Sequence, residues 1–253
     1  MEKLYKNKEW LENKYINEKI PIRQISKLCG VNKGTIHWYL DKFEIKKRTS
    51  GESYHWTHTN HTNLTKESID WIQGELLGDG CLYSYNKYSA TFRYGSKHLE
   101  YINYISKRLE AFGIERTGKI RKNKEDIYHY ASLCYKELKP LREKWYPTGK
   151  KIVPKDVELT PITVRQWFIG DGNLQFVRQR KNYKPYPELV IYTCGFPISD
   201  VEFLIFKLKE IGIEATRQSY HNSVHIRNKS LASFYSYIGS CPTECYKYKW
   251  RTA

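Results

Sequence analysis

Along the first 50 positions, apolar residues recur three or four apart rather than in alternation, which is the spacing of helices packed on a small core. Trp10, Leu11, Tyr15 and Ile16 open one stripe, and Ile22, Ile25, Leu28, Val31, Ile36, Leu40 and Ile45 extend the pattern. Ile25 and Leu28 are expected to seat one helix on that core. After them comes Cys29-Gly30-Val31-Asn32, where Gly30 tolerates a positive φ and Asn32 is a good cap for a following helix bearing Thr35, Ile36, Tyr39 and Leu40. Two short helices joined in this way form a helix-turn-helix, with a plain helical hairpin as the alternative. The second helix would turn Lys33, Thr35, His37 and Trp38 outward. Residues 51–66 then lose the pattern, being polar and turn-rich, and are expected to be a linker. His55, His58 and His61 recur in it every third residue, but no acid or cysteine lies among them to complete a metal site, so a solvated segment is the simpler reading.

From residue 67 onward the pattern occurs twice. An apolar stretch IQGELLGDGCL (72–82) leads into strand-like SATFRYGSK (89–97), an amphipathic helix LEYINYISKRLEAFGIE (99–115), a basic hairpin and YKELKPLREKW (135–145). VRQWFIGDGNL (164–174), PELVIYTCGFP (187–197), VEFLIFKLKEIGIEA (201–215) and NKSLASFYSYIG (228–239) follow in the same order. Gly80 and Gly172, Gly113 and Gly212, and Leu138 and Leu231 are the landmarks, 92, 99 and 93 residues apart. The expected fold class is α+β: a tandem pseudo-twofold αββαββα repeat, residues 67–158 and 159–253, with an all-α helix-turn-helix module at 1–50. Two equivalent units in one chain imply equivalent surfaces meeting at an axis, and a monomer that already carries both halves.

Charge narrows the partners. The chain carries 43 Lys and Arg against 27 Asp and Glu, a formal +16, and the first 50 residues alone hold 12 basic against 6 acidic side chains. Such an excess repels itself unless a polyanion meets it, and nucleic acid is the natural candidate. Hydrophobic residues make up 40%, enough for a real core, and 22 Tyr and 7 Trp suit binding faces built from strands. No apolar run approaches the 18 residues of a membrane span, and MEKLYKNKEW has no signal-peptide core, so the sequence predicts no membrane partner and a cytoplasmic, nucleoid-associated location, with an organellar one left open. Six scattered cysteines fit reduced thiols. Cys241 and Cys245 form a lone C-x3-C, a weak zinc signal.

Each copy opens with an apolar helix ending in Gly-Asp-Gly, so Asp79 and Asp171 sit where the helix dipole and orphan carbonyls disfavour a carboxylate. The same placement at corresponding points of a repeat suggests a compensating cation. A carboxylate together with the last helical carbonyl, at Gly78 or Gly170, offers the hard oxygens that Mg²⁺ (or Mn²⁺) takes.

Ile72–Gly80 and Val164–Gly172 resemble the two motifs of single-chain LAGLIDADG homing endonucleases, and LTPITVRQWFIGDGN (159–173) is particularly similar to the second. The resemblance spans about three-quarters of the chain. It implies two motif helices packed at the pseudo-dyad, with Gly74 and Gly78 giving one small face. Gln166 departs from the expected small residue and predicts wider or asymmetric packing. It further implies that Asp79 and Asp171 each hold a divalent metal beside one scissile phosphate, that water attacks in line, and that two sheets straddle the major groove of double-stranded DNA. Basic residues near the site are implied as Lys151 in GKKIVP (149–154) and, in CYKYKW (245–250), Lys249 first and Lys247 second. Ser96 and Cys194 match the polar position after the second strand of each unit, implied to face the DNA near the catalytic water, and Cys194 is unusual there. Candidate DNA contacts are Lys33, Thr35 and His37 in the N-terminal module. The repeat adds Arg93, Arg116, Lys119, Arg121, Lys122 and Lys124 from the first copy, and Arg178, Arg180, Lys181, Arg217, His225 and Arg227 from the second. The function implied is site-specific double-strand cleavage. A non-cleaving DNA-binding regulator, or a maturase acting on intron RNA, are the alternatives on the same fold.

Overall fold

In a computed structural model, residues 3–49, 51–52, 59–178 and 185–250 are described, and the chain divides into two compact units, Met1–Thr59 and Asn60–Ala253. In the first unit, α1 (Lys8–Glu12) runs into a single π turn, Asn13–Asn17, and is followed by α2 (Ile22–Leu28) and α3 (Lys33–Lys42). Tyr5, Leu11, Tyr15, Ile25, Ile36, Leu40 and Ile45 form its core. The α2–α3 turn follows the local chemistry closely. Gly30 sits at φ +64°, and the Gly30 and Val31 amides donate to Lys27 and Ser26 carbonyls at 3.2 and 3.0 Å, the paired bonds of a Schellman ending. Asn32 then caps α3 by accepting from the Thr35 amide at 2.9 Å. Leu28 is not in the core. It is 65% exposed, because the inward stripe of α2 runs through Ile22, Ile25, Ser26 and Cys29 and leaves Leu28 off its side.

The second unit contains the repeat. Helix α4 (Lys66–Leu77) leads to β1 (Cys81–Tyr83) and β2 (Thr91–Ser96), then α5 (Leu99–Ala111), β3 (Arg121–Lys122), β4 (Tyr128–Ala131) and α6 (Leu138–Trp145). Helix α7 (Pro161–Asp171), β5 (Gly172–Val177), β6 (Tyr186–Ile191), α8 (Ile198–Glu210), β7 (Ala215–Gln218), β8 (Ser223–Ile226) and α9 (Leu231–Ile238) repeat the order. Each copy makes a four-stranded antiparallel sheet, β1-β2-β4-β3 and β5-β6-β8-β7. Thr65 and Thr160 cap α4 and α7 through their hydroxyls, and Pro161 fills the first turn of α7, where no amide is needed. The polar stretch expected to be a linker is fixed to this unit from Asn60 on. Thr62 donates its hydroxyl to the Phe112 carbonyl at 2.7 Å, and His61 lies 3.0 Å from Glu137. His55 and His58 lie outside the described residues.

Helices α4 and α7 pack face to face, and every residue from Asp70 to Leu77 is buried. A methyl at Gly74 would come within 2.6 Å of the Thr163 carbonyl and 2.8 Å of Gln166 Cβ. At the crossing, one on Gly170 would come within 3.1 Å of Gly78 Cα. The wider packing expected from Gln166 is therefore not found. Gln166 is fully buried in the interface, and Gly74 opposite makes the room.

Candidate functional site

The close approach of α4 and α7 brings Asp79 and Asp171 together at the C-terminal ends of the two helices. Asp79 is exposed and Asp171 half-buried. Burial, and next the charge of Asp79, push the Asp171 carboxyl up to about 7, while Lys151 and Lys249 oppose the shift. The Tyr94 hydroxyl donates to Asp79 Oδ2 at 3.4 Å. The two lysines occupy equivalent places. Lys151 Nζ donates to the Gly78 and Gly80 carbonyls at 2.8 and 2.9 Å, and Lys249 Nζ to those of Ile169 and Gly170 at 2.5 and 3.2 Å. Each cation thus sits on the negative end of one helix dipole. Burial lowers both, Lys249 to about 8, and the nearby carboxylates hold them back from falling further. Lys247 is exposed and paired with Glu244 at 2.5 Å, so of the two lysines near the C-terminus it is Lys249 that reaches the helix end.

A cavity of about 310 Å³ beside Asp171 is lined by Lys151, Gly78, Thr193, Cys194 and Phe196. Cys194 is exposed there. Ser96, its counterpart, is not: its strand parity turns it to the helix side, where it is 8% exposed and its hydroxyl lies 3.4 Å from that of Tyr246. Behind the carboxylate pair sits Glu75, which the sequence reading missed. Its Oε1 accepts from the Tyr101 hydroxyl at 2.7 Å and from Gln166 Nε2 at 2.8 Å, and burial pushes its carboxyl up to about 8. An acid inside an apolar helix was the one signal for it; the sequence marks Gln166 only as a departure from a small residue.

Among the described residues no three His, Cys, Asp or Glu side chains cluster as a ready-made metal cage. The two aspartates still suit Mg²⁺, which keeps most of its waters and takes one or two carboxylates plus phosphate oxygens. Burial, and next the charge of Asp79, raise Asp171, and a bound divalent cation would offset both. The Gly78 and Gly170 carbonyls already accept from Lys151 and Lys249, so those lysines and a metal would share them.

Sheet register sorts the candidate contacts. On the face of the first sheet turned away from its helix, Cys81, Arg93 and Ala131 lie in one row, with Gly95, His129 and Arg121 in the next. Arg93 stacks over Tyr83 and Tyr85, 4.5 and 5.3 Å to the ring centres, and bonds the Tyr85 hydroxyl. Lys122 shares the opposite face with Tyr128 and is paired with Asp126 at 2.7 Å. Arg116, Lys119 and Lys124 are exposed in the connections around β3. On the open face of the second sheet lie Asn173, Gln175, Glu188, Thr216 and His225, with His225 Nδ1 3.3 Å from Glu188. Arg217 is registered with Val224 on the helix side, 4.0 Å from Glu202, so it does not belong to that face. Arg178 and Arg227 are exposed at strand ends, and Arg180 and Lys181 lie outside the described residues. In the N-terminal unit Lys33 and His37 are exposed on α3, whereas the Thr35 hydroxyl turns back to Asn32 at 3.3 Å.

The cysteines at 241 and 245 do not assemble a metal site either. Cys241 Sγ donates to the Thr243 carbonyl at 3.1 Å and Cys245 Sγ to the Thr243 hydroxyl at 3.6 Å.

Two helices crossing on glycines, with an aspartate at or just beyond each C-terminal end and a four-stranded antiparallel sheet in each copy, define a homing-endonuclease fold. The chain belongs to the LAGLIDADG DNA endonuclease family, whose sequence model matches residues 69–234. The structure of the homing endonuclease I-WcaI bound to its DNA recognition sequence superposes with a TM-score of 0.61 at 22% identity, covering 84% of this chain and 97% of that one. The uncharacterized protein MJ1098 of Methanocaldococcus jannaschii is 28% identical over 89% of this chain and 88% of its own length. A cytochrome b mRNA maturase, bI2, of Debaryomyces hansenii is 27% identical over 43% of this chain and 47% of its own length. No helix among the described residues is long and apolar enough to cross a membrane.

Proposed function

We propose that the protein is a site-specific DNA endonuclease of the homing type, a monomer that uses Mg²⁺ or Mn²⁺ to cut both strands of a long duplex target. The observation that carries this reading is the pair Asp79 and Asp171, brought together by the helix crossing, each helix end bearing its own lysine. A divalent cation held by the aspartates supplies Lewis-acid stabilisation of phosphate oxygens and an activated water. Lys151 and Lys249 add positive charge where a phosphate becomes more negative in the transition state, and being anchored to carbonyls they are preorganised there. Arg93, Arg121 and His129 on one sheet, and Gln175, Glu188 and His225 on the other, offer donors and acceptors for base edges in the major groove. The exposed Arg116, Lys119, Lys124, Arg178 and Arg227 fit phosphates. Lys33 and His37 on α3 extend contact to a further stretch of duplex, as the second helix of a helix-turn-helix does.

A randomised duplex library incubated with the protein and Mg²⁺, followed by recovery of cleaved ends, should yield one long asymmetric target. On that duplex Asp79→Asn and Asp171→Asn should each abolish double-strand cutting while binding persists, with nicking of one strand as the residual activity. Full double-strand cutting by both variants would overturn the assignment. The match to a maturase favours one further arm, in which catalysis of intron splicing without any DNA scission would point to RNA instead.

A further inference from the structure

Each lysine at the site is carried by backbone held from both copies. Within its own copy the Ile152 amide, next to Lys151, donates to the Trp145 carbonyl at 2.8 Å, and the Lys249 carbonyl accepts from the Tyr235 hydroxyl at 2.8 Å. Lys151 belongs to the segment that leaves the first copy, and two residues on the Val153 amide donates to Asp200 Oδ2 at 2.9 Å. Asp200 lies in the first turn of α8, in the second copy, and is 5% exposed. Its other oxygen accepts from Lys155 Nζ at 2.9 Å. Lys151 and Lys155 also sit over Phe196 and Phe203 of the second copy, at 5.7 and 4.6 Å. Lys249 belongs to the terminal 3₁₀ segment Glu244–Trp250 of the second copy. The Glu244 and Cys245 amides donate to Glu100 Oε1 and Oε2, at 2.8 and 3.0 Å, and Glu100 lies in the first turn of α5, in the first copy. Tyr246 packs against Tyr101 and His98 of that same helix start, with ring centres 5.0 and 5.1 Å away. Yet each ammonium returns to its own copy, Lys151 to Gly78 and Gly80, and Lys249 to Ile169 and Gly170.

The two segments share no sequence pattern, GKKIVPKD against ECYKYKW. They nevertheless receive the same treatment, backbone amides held by a carboxylate in the first helical turn of the opposite copy. A carboxylate there is favoured by the helix dipole, and a charge-assisted bond to a backbone amide fixes chain direction more firmly than a neutral one. We infer that Glu100 and Asp200 are positioning residues, crossed latches by which each copy fixes the backbone that carries the other copy's lysine. The latch couples the halves: each lysine's segment is tied to its own copy on one side and to the opposite copy on the other, so docking of the copies completes the placement of both lysines.

The inference rests on the nuclease reading for its purpose but not for its first test. Acetic anhydride labelling of the full-length, DNA-free chain, followed by peptide mass spectrometry, reads the accessibility of each lysine. In the wild type Lys249, 5% exposed, should be protected. Glu100→Ala should raise its labelling by roughly tenfold or more, the effect of losing charge-assisted hydrogen bonds, and leave Lys151 unchanged. Asp200→Ala should do the converse, and Glu100→Gln and Asp200→Asn, which retain one acceptor oxygen, should restore part of the protection. Equal labelling of both lysines in either alanine variant, or no change in either, would overturn the latch. If Asp200→Ala fails to fold, Glu100→Ala and Asp200→Asn still decide. On the duplex recovered from the library, Glu100→Ala and Asp200→Ala should slow scission of opposite strands with little change in affinity. Lys151→Ala and Lys249→Ala serve as references. If the lysine variants cut normally, the nuclease roles fall while the labelling result stands; if they slow and labelling is unselective, the latch falls alone.

Discussion

Two carboxylates forced together repel, and the molecule answers with two ammonium groups on the neighbouring carbonyls rather than with a third acid or a histidine. Asp79 and Asp171 stand out in the chain because a repeated motif marks them, whereas Lys151 is reached only through the family resemblance. The choice of Lys249 over Lys247 needed the 3₁₀ turn that points alternate side chains apart. Glu75 was legible only as an acid inside an apolar helix, since its role comes from Gln166 and Tyr101, partners supplied by other helices. Its carboxyl holds a proton more tightly in the folded chain, rising from an ordinary 4.5 to about 8. The folded state therefore binds more protons than the unfolded one across that interval, and stability falls as pH climbs from about 4.5 to 8. Asp171, raised to about 7, acts in the same direction over the lower part of the window. Metal-free protein should accordingly lose a few kcal/mol between pH 5 and 8. Glu75→Gln keeps the shape without the titration and should flatten that slope, as urea unfolding at the two pH values will read. An unchanged slope in the variant would assign the pH dependence elsewhere.

At the scale of elements, periodicity fixed the order of helices and strands, and the Thr, Pro, Asn and Gly signals placed their ends. Side-chain direction was harder. Ser96, Lys122 and Arg217 were all expected toward DNA, and all three lie on the helix side of their sheets, because a strand's facing is decided by register with its neighbours and a shift of one residue reverses it. Leu28 is the helical version of the same problem. The helix crossing shows packing correcting a sequence expectation in the other direction. Gln166 looked too large for a close pair, yet Gly74 stands opposite and the helices meet at backbone distance. Gly74→Ala should then be destabilising despite alanine's better helix propensity, since the new methyl would meet the Thr163 carbonyl at 2.6 Å. A loss of about 1–3 kcal/mol in urea unfolding is the expected cost of such overpacking, with slower cutting as the aspartates move apart. A stabilised Gly74→Ala would mean that the helices separate easily and that the pair is not held at close range.

The whole chain combines a pseudo-symmetric unit, Asn60–Ala253, with a small helical unit that has its own core of seven buried side chains, from Tyr5 to Ile45. That separate core was legible in the sequence, whereas the boundary was not: Asn60, His61 and Thr62 look like linker but bond to Cys134, Glu137 and Phe112. If the small unit is a second DNA-binding surface, it raises affinity through effective concentration and leaves the chemistry alone. Removing residues 1–59 should then give a folded protein that still cuts at saturating concentration but binds more weakly. Its affinity should depend less steeply on salt, the log–log slope falling by about 0.9 for every phosphate that the shortened chain no longer neutralises. Footprinting should show protection shortened on one flank only, because one module added to a two-fold core can extend only one side of the target. An unchanged footprint and salt slope would make the unit a cap or a protein-binding hairpin. Failure of the truncated chain to fold would instead show that the apolar stripe of α2 and α3 completes the main core, against the independent packing of Ile25, Ile36 and Leu40.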